Sequence, residues 1–316
     1  MRDLIEVRHW KVPVELTSSP AVANRNALAR NLATRDVPSL LGSYVYLSVP
    51  DMRRLVSRAS RYLLPGPFQG VGVELGAGCG LLSAIVAFEN KVKNIYAVEV
   101  CEDAASLLIP KVVSSVLGRD ASKVLPVVGT FDDLQLPAKS VDFVVEFDSL
   151  HHSNNLERTL SESARVLKPG GWMLCFDRAQ PDTVTDEEIE KMLCRVYSRE
   201  FLEKNYYPVD IPLTRRENGE HEYRLSEWKS AFEKADFRVE KTAKFEREVR
   251  FKTAMKGVLS VFPGRIRRLL YKSEGPTLRT VAEWTSQRTR RMTRYWTGAA
   301  PIYAPKETTV FFCERN

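Results

Sequence analysis

Gly70-Val71-Gly72-Val73-Glu74-Leu75 runs directly into Gly76-Ala77-Gly78-Cys79-Gly80 and then into Leu81–Phe88 (LLSAIVAF). A short β-rich run, a turn of alternating glycines and an apolar helical stretch make a strand–turn–helix unit. Asn94–Val100 (NIYAVEV) follows as a second strand, with Glu99 near its end. Glycines in such a turn let a ligand approach the backbone. The 23-residue step from Gly76 to Glu99 is close to the interval of about 20 at which an acid meets ribose hydroxyls in nucleotide-binding βαβ units.

Outward from this unit the alternation continues. Glu102–Val116 reads as helix, Val124–Val128 and Val141–Phe147 as strands, and Leu156–Leu167 as helix. Lys168-Pro169-Gly170-Gly171 is a turn, and Trp172–Asp177 is a fifth strand. Strands alternating with helices of this length imply right-handed crossovers and a mostly parallel sheet covered on both faces. Further on, Thr185–Asn205 reads as helix, 206–224 as an irregular polar stretch, and Ser226–Ala235 as a helix capped by Ser226. Phe237–Phe245 and Thr308–Cys313 are β-runs. Toward the N-terminus, 1–50 lacks clear periodicity apart from a short helix at Asn24–Thr34. Asp51 then N-caps a helix with Met52, Leu55, Val56, Ala59, Tyr62 and Leu63 on one face, ending before Pro65-Gly66-Pro67.

Composition bounds the class. The 316 residues are 44% hydrophobic, with 16 Gly and 17 Pro, which excludes disordered, collagen-like and low-complexity chains. At about 150 residues per domain, the length allows one large domain or two small ones. No apolar run is long enough to span a bilayer, and the acid-bearing MRDLIEVRHW lacks the apolar segment of a secretory signal. The five cysteines are scattered without a CxxC pair, which fits neither a disulfide framework nor a zinc site and suggests a reducing, cytoplasmic compartment.

The glycine spacing narrows the ligand. A dinucleotide fingerprint asks for G-x-G-x-x-G, whereas the third position here is Leu81 and the pattern is G-x-G-x-G. Glu74, two residues ahead of Gly76, is badly placed beside a pyrophosphate but suits a ligand bearing an ammonium. S-adenosylmethionine has an ammonium, a sulfonium and no phosphate. A GxxxxGK[ST] loop is missing, which disfavours ATP by that route.

VELGAGCG (Val73–Gly80), AVEV (Ala97–Val100), LPAKSVDFVV (Leu136–Val145), SLHH (Ser149–His152), ARVLKPGGWML (Ala164–Leu174) and SEWKSAFEKADF (Ser226–Phe237) together resemble the class I S-adenosylmethionine-dependent methyltransferases, above all the group that methylates small molecules. The resemblance covers roughly 65–245. It implies an α/β fold with a Rossmann-like, seven-stranded, mostly parallel sheet, helices on both faces and the last strand antiparallel. To this are added a helical N-terminal extension or lid (1–64) and, within the core (65–245), a cap segment at 179–224. A basic helical insertion (246–305) then precedes the last strand (306–316). The implied cofactor is S-adenosylmethionine. By resemblance, Glu74 would face its methionine amino group, Gly76, Ala77, Gly78 and Gly80 would give the backbone surface, and Glu99 would meet the ribose. The family often has an acid after the third strand for the adenine amino group, where this chain has Thr130. Phe131 would pack on adenine, Asp132 would supply a carboxylate from a shifted register, and Phe147 completes the expected cofactor set.

Methyl transfer is an in-line displacement that depends heavily on positioning, and it needs a base only when the acceptor is a hydroxyl or a protonated amine. Candidates follow the fourth strand: Asp148, His151 and His152. His221, in GEHEY, would enter from above, and His9 stands isolated. No His/Cys/Asp/Glu group shows metal-ligand spacing, so no metal is expected.

Arg250–Trp296 holds twelve basic residues against Glu274 and Glu283, while the rest of the chain carries 35 basic and 38 acidic residues. The overall formal charge of +7 is therefore concentrated there, as for contact with an anionic partner. Three acceptor classes follow. The first is a small metabolite of natural-product or sugar type, roofed by Tyr44, Tyr46, 179–224 and the insertion. The second is an anionic or membrane-held lipid or glycan, met through peripheral contact at 251–268, where Phe251–Phe262 is flanked by Lys252, Lys256, Arg265, Arg267 and Arg268. RNA ranks last, resting on Arg288–Arg294 with Trp284, Tyr295 and Trp296, and nucleic acid is not the expected partner. A cofactor-binding protein without catalysis is the remaining alternative.

Overall fold

The computed structural model describes residues 5–247, 280, 282–287, 302–304 and 307–316. The chain divides into two units, Met1–Ala243 with Thr309–Asn316, and Lys244–Thr308. In the first, helices α1 (Val14–Thr17), α2 (Pro20–Ala33), α3 (Val37–Tyr44) and α4 (Val49–Leu63) precede strand β2 (Gly70–Leu75), and a two-residue strand β1 (Arg8–His9) lies ahead of them all. Then come α5 (Leu81–Ala87), β3 (Val92–Glu99), α6 (Ile109–Leu117), β4 (Val124–Val128), β5 (Val141–Phe147), α7 (Leu156–Val166) and β6 (Leu167–Asp177). After these follow α8 (Asp186–Leu193), α9 (Arg199–Lys204), α10 (Leu225–Lys234), β7 (Phe237–Arg247), β8 (Ile302–Ala304) and β9 (Thr308–Arg315).

The strands run in the order β1-β4-β3-β2-β5-β6-β9-β7-β8. Neighbours from β1 to β6 pair in parallel, and β9 enters antiparallel to β6, with Met173 opposite Cys313 and Leu174 opposite Phe312. This is the Rossmann-like sheet with a reversed last strand. It has two strands beyond the expected seven: β1, joined to β4 through Arg8↔Val127, and β8, joined in parallel to the far end of β7. Two- and three-residue strands are too short to carry a period-2 pattern. The central strands are buried, as parallel strands covered by helices must be: Val73, Leu75, Val98, Val127, Val144, Met173 and Phe311 form one core with Leu160 of α7 and Phe232 of α10.

Several boundaries differ from expectation for local reasons. Helix α4 starts at Val49, not after Asp51. Ser48 is the cap and Asp51 is its third residue, each bonding the other's backbone N–H. The helix expected over Glu102–Val116 begins as a wide π-turn, Ala104–Leu108, before α6. Pro110 sits in the first turn of α6, where a missing N–H costs nothing. The helix expected over Thr185–Asn205 is two helices, interrupted where Tyr197 N–H turns to the Leu213 carbonyl. Arg224, not Ser226, is the N-cap of α10, and Glu227 accepts its backbone N–H.

The second unit is described only in pieces. Besides the β7–β8 pairing, Lys244 and Glu307 lie 3.2 Å apart, and 282–287 is helical with Gln287 buried. The rest of the basic stretch Arg250–Trp296, including the helix expected at Phe251–Phe262, lies outside the described residues. Among the described residues, no helix is long and apolar enough to cross a membrane.

Candidate functional site

The carboxyl ends of β2, β3 and β5 meet at the glycine turn. Gly76, Gly78 and Gly80 all have positive φ (63°, 56° and 76°), a region that L side chains rarely enter. A Cβ on Gly76 would stand 2.6 Å from Ser149 Cβ, and one on Gly78 would stand 2.9 Å from the ring of Tyr44. Ala77 N–H is tied to the Val98 carbonyl at 2.8 Å. Glu99 accepts Gly78 N–H on Oε2 (2.7 Å) and Cys101 N–H on Oε1 (2.9 Å), so its carboxylate braces the turn while each oxygen keeps a lone pair.

Glu74 is 2% exposed. Its Oε2 accepts the Ser83 N–H (2.8 Å) and the Ser83 hydroxyl at the start of α5, and Oε1 takes no hydrogen bond among the described residues. Burial pushes this carboxyl up to about 8 against the pull of Ser83. Around the adenine-side candidates, Thr130 is buried and its hydroxyl accepts Asp132 N–H at 3.3 Å. Phe131 reaches within 3.8 Å of the Gly76 Cβ position. Asp132 Oδ1 is engaged by the Thr159 hydroxyl of α7, and its carboxyl is raised by burial. Phe147 faces Phe176, ring centroids 6.1 Å apart.

At the end of β5 the chain turns sharply. Asp148 sits at φ 57° with its N–H on the Phe176 carbonyl, and Leu150–His152 forms a single 3-10 turn. His151 Nδ1 lies 2.7 Å from Asp177 Oδ1, and its backbone N–H donates to Asp177 Oδ2 at 3.0 Å. Asp177 is fully buried and ends β6, so the sequence gives no signal linking it to His151 across 26 positions. A carboxylate can only accept, which fixes the proton on Nδ1 and leaves Nε2 as an acceptor; that nitrogen makes no hydrogen bond among the described residues. Buried Glu146 neighbours this pair. Burial, and then the Asp177 charge, hold its carboxyl well above the usual range.

His152 ends differently. Its Nδ1 donates to the Gly219 carbonyl at 3.0 Å, and its Nε2 accepts from Arg25 Nη2 at 2.8 Å. Both nitrogens are engaged, and burial with the charge of Arg25 drives its pKa far below the ordinary value. His221 N–H and Nδ1 both meet the His151 carbonyl, at 2.8 and 3.1 Å, so His221 buttresses the turn. His9 is paired loosely with Glu102 at 3.7 Å. Asp148, His151 and Asp177 bring one potential metal-ligand atom each within 4.8 Å of one another. This grouping is invisible in the sequence spacing because Asp177 closes it from another strand, and the His151–Asp177 bond already gives both members a partner.

Above the sheet edge, α2, α3 and the 205–224 stretch converge. Tyr206 donates to Asn31 Oδ1 at 2.5 Å, Tyr207 to Asn218 Oδ1 at 2.8 Å, and Arg25 reaches down to His152. Helix α2 thus meets both the 205–224 stretch and the histidine turn. Arg25 was missed in the sequence because nothing in NRNAL marks it off from a solvent-facing helix position.

Residues 73–175 match the family model described as a methyltransferase domain. A sarcosine/dimethylglycine N-methyltransferase of Aphanothece halophytica is 34% identical over 77 residues, covering 24% of this chain and 28% of that protein. A glycine/sarcosine/dimethylglycine N-methyltransferase of Actinopolyspora halophila is 31% identical over 94 residues, covering 30% and 17%. The match therefore spans well under half the length of these curated relatives. In structure, a chain of the Haloferax volcanii complex containing the Trm112 methyltransferase activator superposes with a TM-score of 0.50 at 14% identity, covering 93% of this chain and 96% of that one. Residues 73–175 are thus a methyltransferase domain set in a Rossmann-like sheet.

Proposed function

We propose that this protein transfers a methyl group from S-adenosylmethionine to an oxygen or nitrogen of a small-molecule metabolite. The observation that carries the reading is the junction of the glycine turn, braced by Glu99, with the His151–Asp177 pair one strand away. The names of the relatives, N-methyltransferases of sarcosine, dimethylglycine and glycine, favour a small nitrogen acceptor. The residues suit the cofactor. Side-chain-free positive-φ glycines leave the backbone open, Glu74 Oε1 is available to an ammonium, and the Glu99 oxygens keep lone pairs for hydroxyls.

When bound, S-adenosylmethionine supplies a methyl already activated by its sulfonium. The chain's own part is to align the acceptor and, for a protonated amine or hydroxyl, to remove a proton. His151 Nε2 is the base in this reading, with Asp177 holding the ring and stabilising the imidazolium that forms. Asp148 lies beside them. His152 is a positioning residue, since both its nitrogens are committed.

The test is calorimetric titration with S-adenosylhomocysteine, followed by transfer of labelled methyl to a panel of amines and hydroxyl compounds. Binding and transfer to a small acceptor are expected. Folded protein that binds neither S-adenosylmethionine nor S-adenosylhomocysteine would overturn the reading.

A further inference from the structure

We infer that Arg25 is the recognition point for a carboxylate carried by the methyl acceptor, which makes the acceptor a small amino or hydroxy acid. This rests on the methyltransferase reading above and extends it to the substrate class.

Arg25 differs from Arg178, Arg215 and Arg165, each of which faces a carboxylate. Arg178 lies 3.0 Å from Glu220, Arg215 lies 2.8 Å from Glu220, and Arg165 lies 2.7 Å from Glu162. Arg25 is half-buried on α2, and among the described residues no carboxylate comes within ion-pairing distance of it. Its one hydrogen bond goes to a neutral ring, His152 Nε2. Burial opposes its charge, but the surrounding Tyr207, Tyr44, Cys101 and Glu99 hold its pKa above the ordinary value, so it stays a cation. Of these, Glu99 is the acid, and both its oxygens are directed to Gly78 and Cys101 N–H. An enclosed guanidinium without a facing carboxylate is costly unless a ligand supplies one. Its five N–H donors form a fork that matches a carboxylate with two parallel bonds, and only one is committed.

Location assigns the carboxylate to the acceptor. The nitrogen that anchors Arg25 belongs to His152, whose ring centroid is 4.3 Å from that of His151. An anion gripped by Arg25 would lie next to the His152 ring and so on the histidine side of the site, where the nucleophile is expected. His152 is fixed in the tautomer that accepts from Arg25, because Gly219 takes its other proton. That places the fork without consuming the charge.

The experiment assays the full chain with labelled S-adenosylmethionine against amino and hydroxy acids, each paired with its primary amide. The wild type, Arg25→Met and Arg25→Lys are compared, with melting curves to confirm folding. Expected are turnover of acids but not of their amides and a KM raised on the order of 10- to 100-fold by Arg25→Met. Arg25→Lys should fall between, and S-adenosylhomocysteine affinity should be unchanged in both variants. Amides turned over as well as acids, or a KM indifferent to Arg25, would overturn the inference. So would loss of S-adenosylhomocysteine binding by Arg25→Met with methylthioadenosine binding retained, since the carboxylate would then be the cofactor's. If the wild type binds S-adenosylhomocysteine but turns over no acid, this inference falls while the methyltransferase reading stands. Wild type that binds no cofactor loses both.

Discussion

Two adjacent histidines on one 3-10 turn end in opposite chemical situations: His151 has its Nδ1 on a buried carboxylate and an open Nε2, whereas His152 has both nitrogens engaged. Replacement should separate them. His151→Ala should lower kcat by about 10²- to 10⁴-fold with cofactor affinity kept. His152→Ala should act chiefly on acceptor KM, because it releases Arg25 and not the base. A kcat loss confined to His152→Ala in steady-state kinetics would reverse the two roles. At the turn itself, Gly78→Arg forces a side chain into φ 56° and against Tyr44 at 2.9 Å; it should abolish S-adenosylhomocysteine binding in calorimetry, and undiminished affinity would remove the turn from the site. The glycines, Glu74, Glu99 and the histidine pair were legible because each sits at a fixed offset from a strand end. Asp177 and Arg25 were not. Their significance comes from partners 26 and 127 positions away, and local pattern carries no such information.

Among the elements, Val124–Val128 and Val141–Phe147 were read without error, whereas β6 starts at Leu167 and takes in the turn expected at Lys168–Gly171. Parallel strands buried on both faces are continuous apolar runs bounded by turns. The 206–224 stretch resisted because its order comes from charges rather than periodicity. Glu220 accepts from Arg178 (3.0 Å), Arg215 (2.8 Å) and Tyr197, and Glu222 pairs with Arg215. Burial alone would raise Glu220, yet the Tyr197 bond and the two arginines bring its carboxyl down to about 2. A carboxyl lowered in the folded state stabilises above its unfolded pKa of about 4.3, and this contribution is lost as pH falls through the folded value. The cap should therefore loosen between about pH 4 and 2, seen as rising hydrogen exchange at 205–224 ahead of the sheet. Arg215→Met leaves Glu220 and Glu222 with Arg178 as their one remaining cation (3.0 and 3.7 Å) and should cost about 1–3 kcal/mol in denaturant unfolding; a loss under about 0.5 kcal/mol, the range of ordinary surface changes, would mean the network is not structural.

Taken as a whole molecule, the first unit sets oppositely perturbed acids around one site: Glu220 held low in the cap, Glu74 held high beneath the glycine turn. The signs predict different ends of the pH scale. Glu74, at about 8 when folded and about 4.3 when unfolded, keeps a proton that the unfolded chain gives up. Its favourable contribution is complete below the unfolded value and is lost as pH rises through about 8. An ammonium brought against Glu74 Oε1 favours the carboxylate and lowers this pKa. Cofactor binding near neutral pH should then release a proton. Calorimetry with S-adenosylhomocysteine in two buffers of different ionisation enthalpy reads that proton directly as a difference in apparent enthalpy. Glu74→Gln, which cannot titrate but can still accept from Ser83, should bind more weakly and show no buffer dependence. Identical buffer dependence in wild type and Glu74→Gln would take Glu74 out of the contact with the cofactor's ammonium and leave it a buried brace for the first turn of α5.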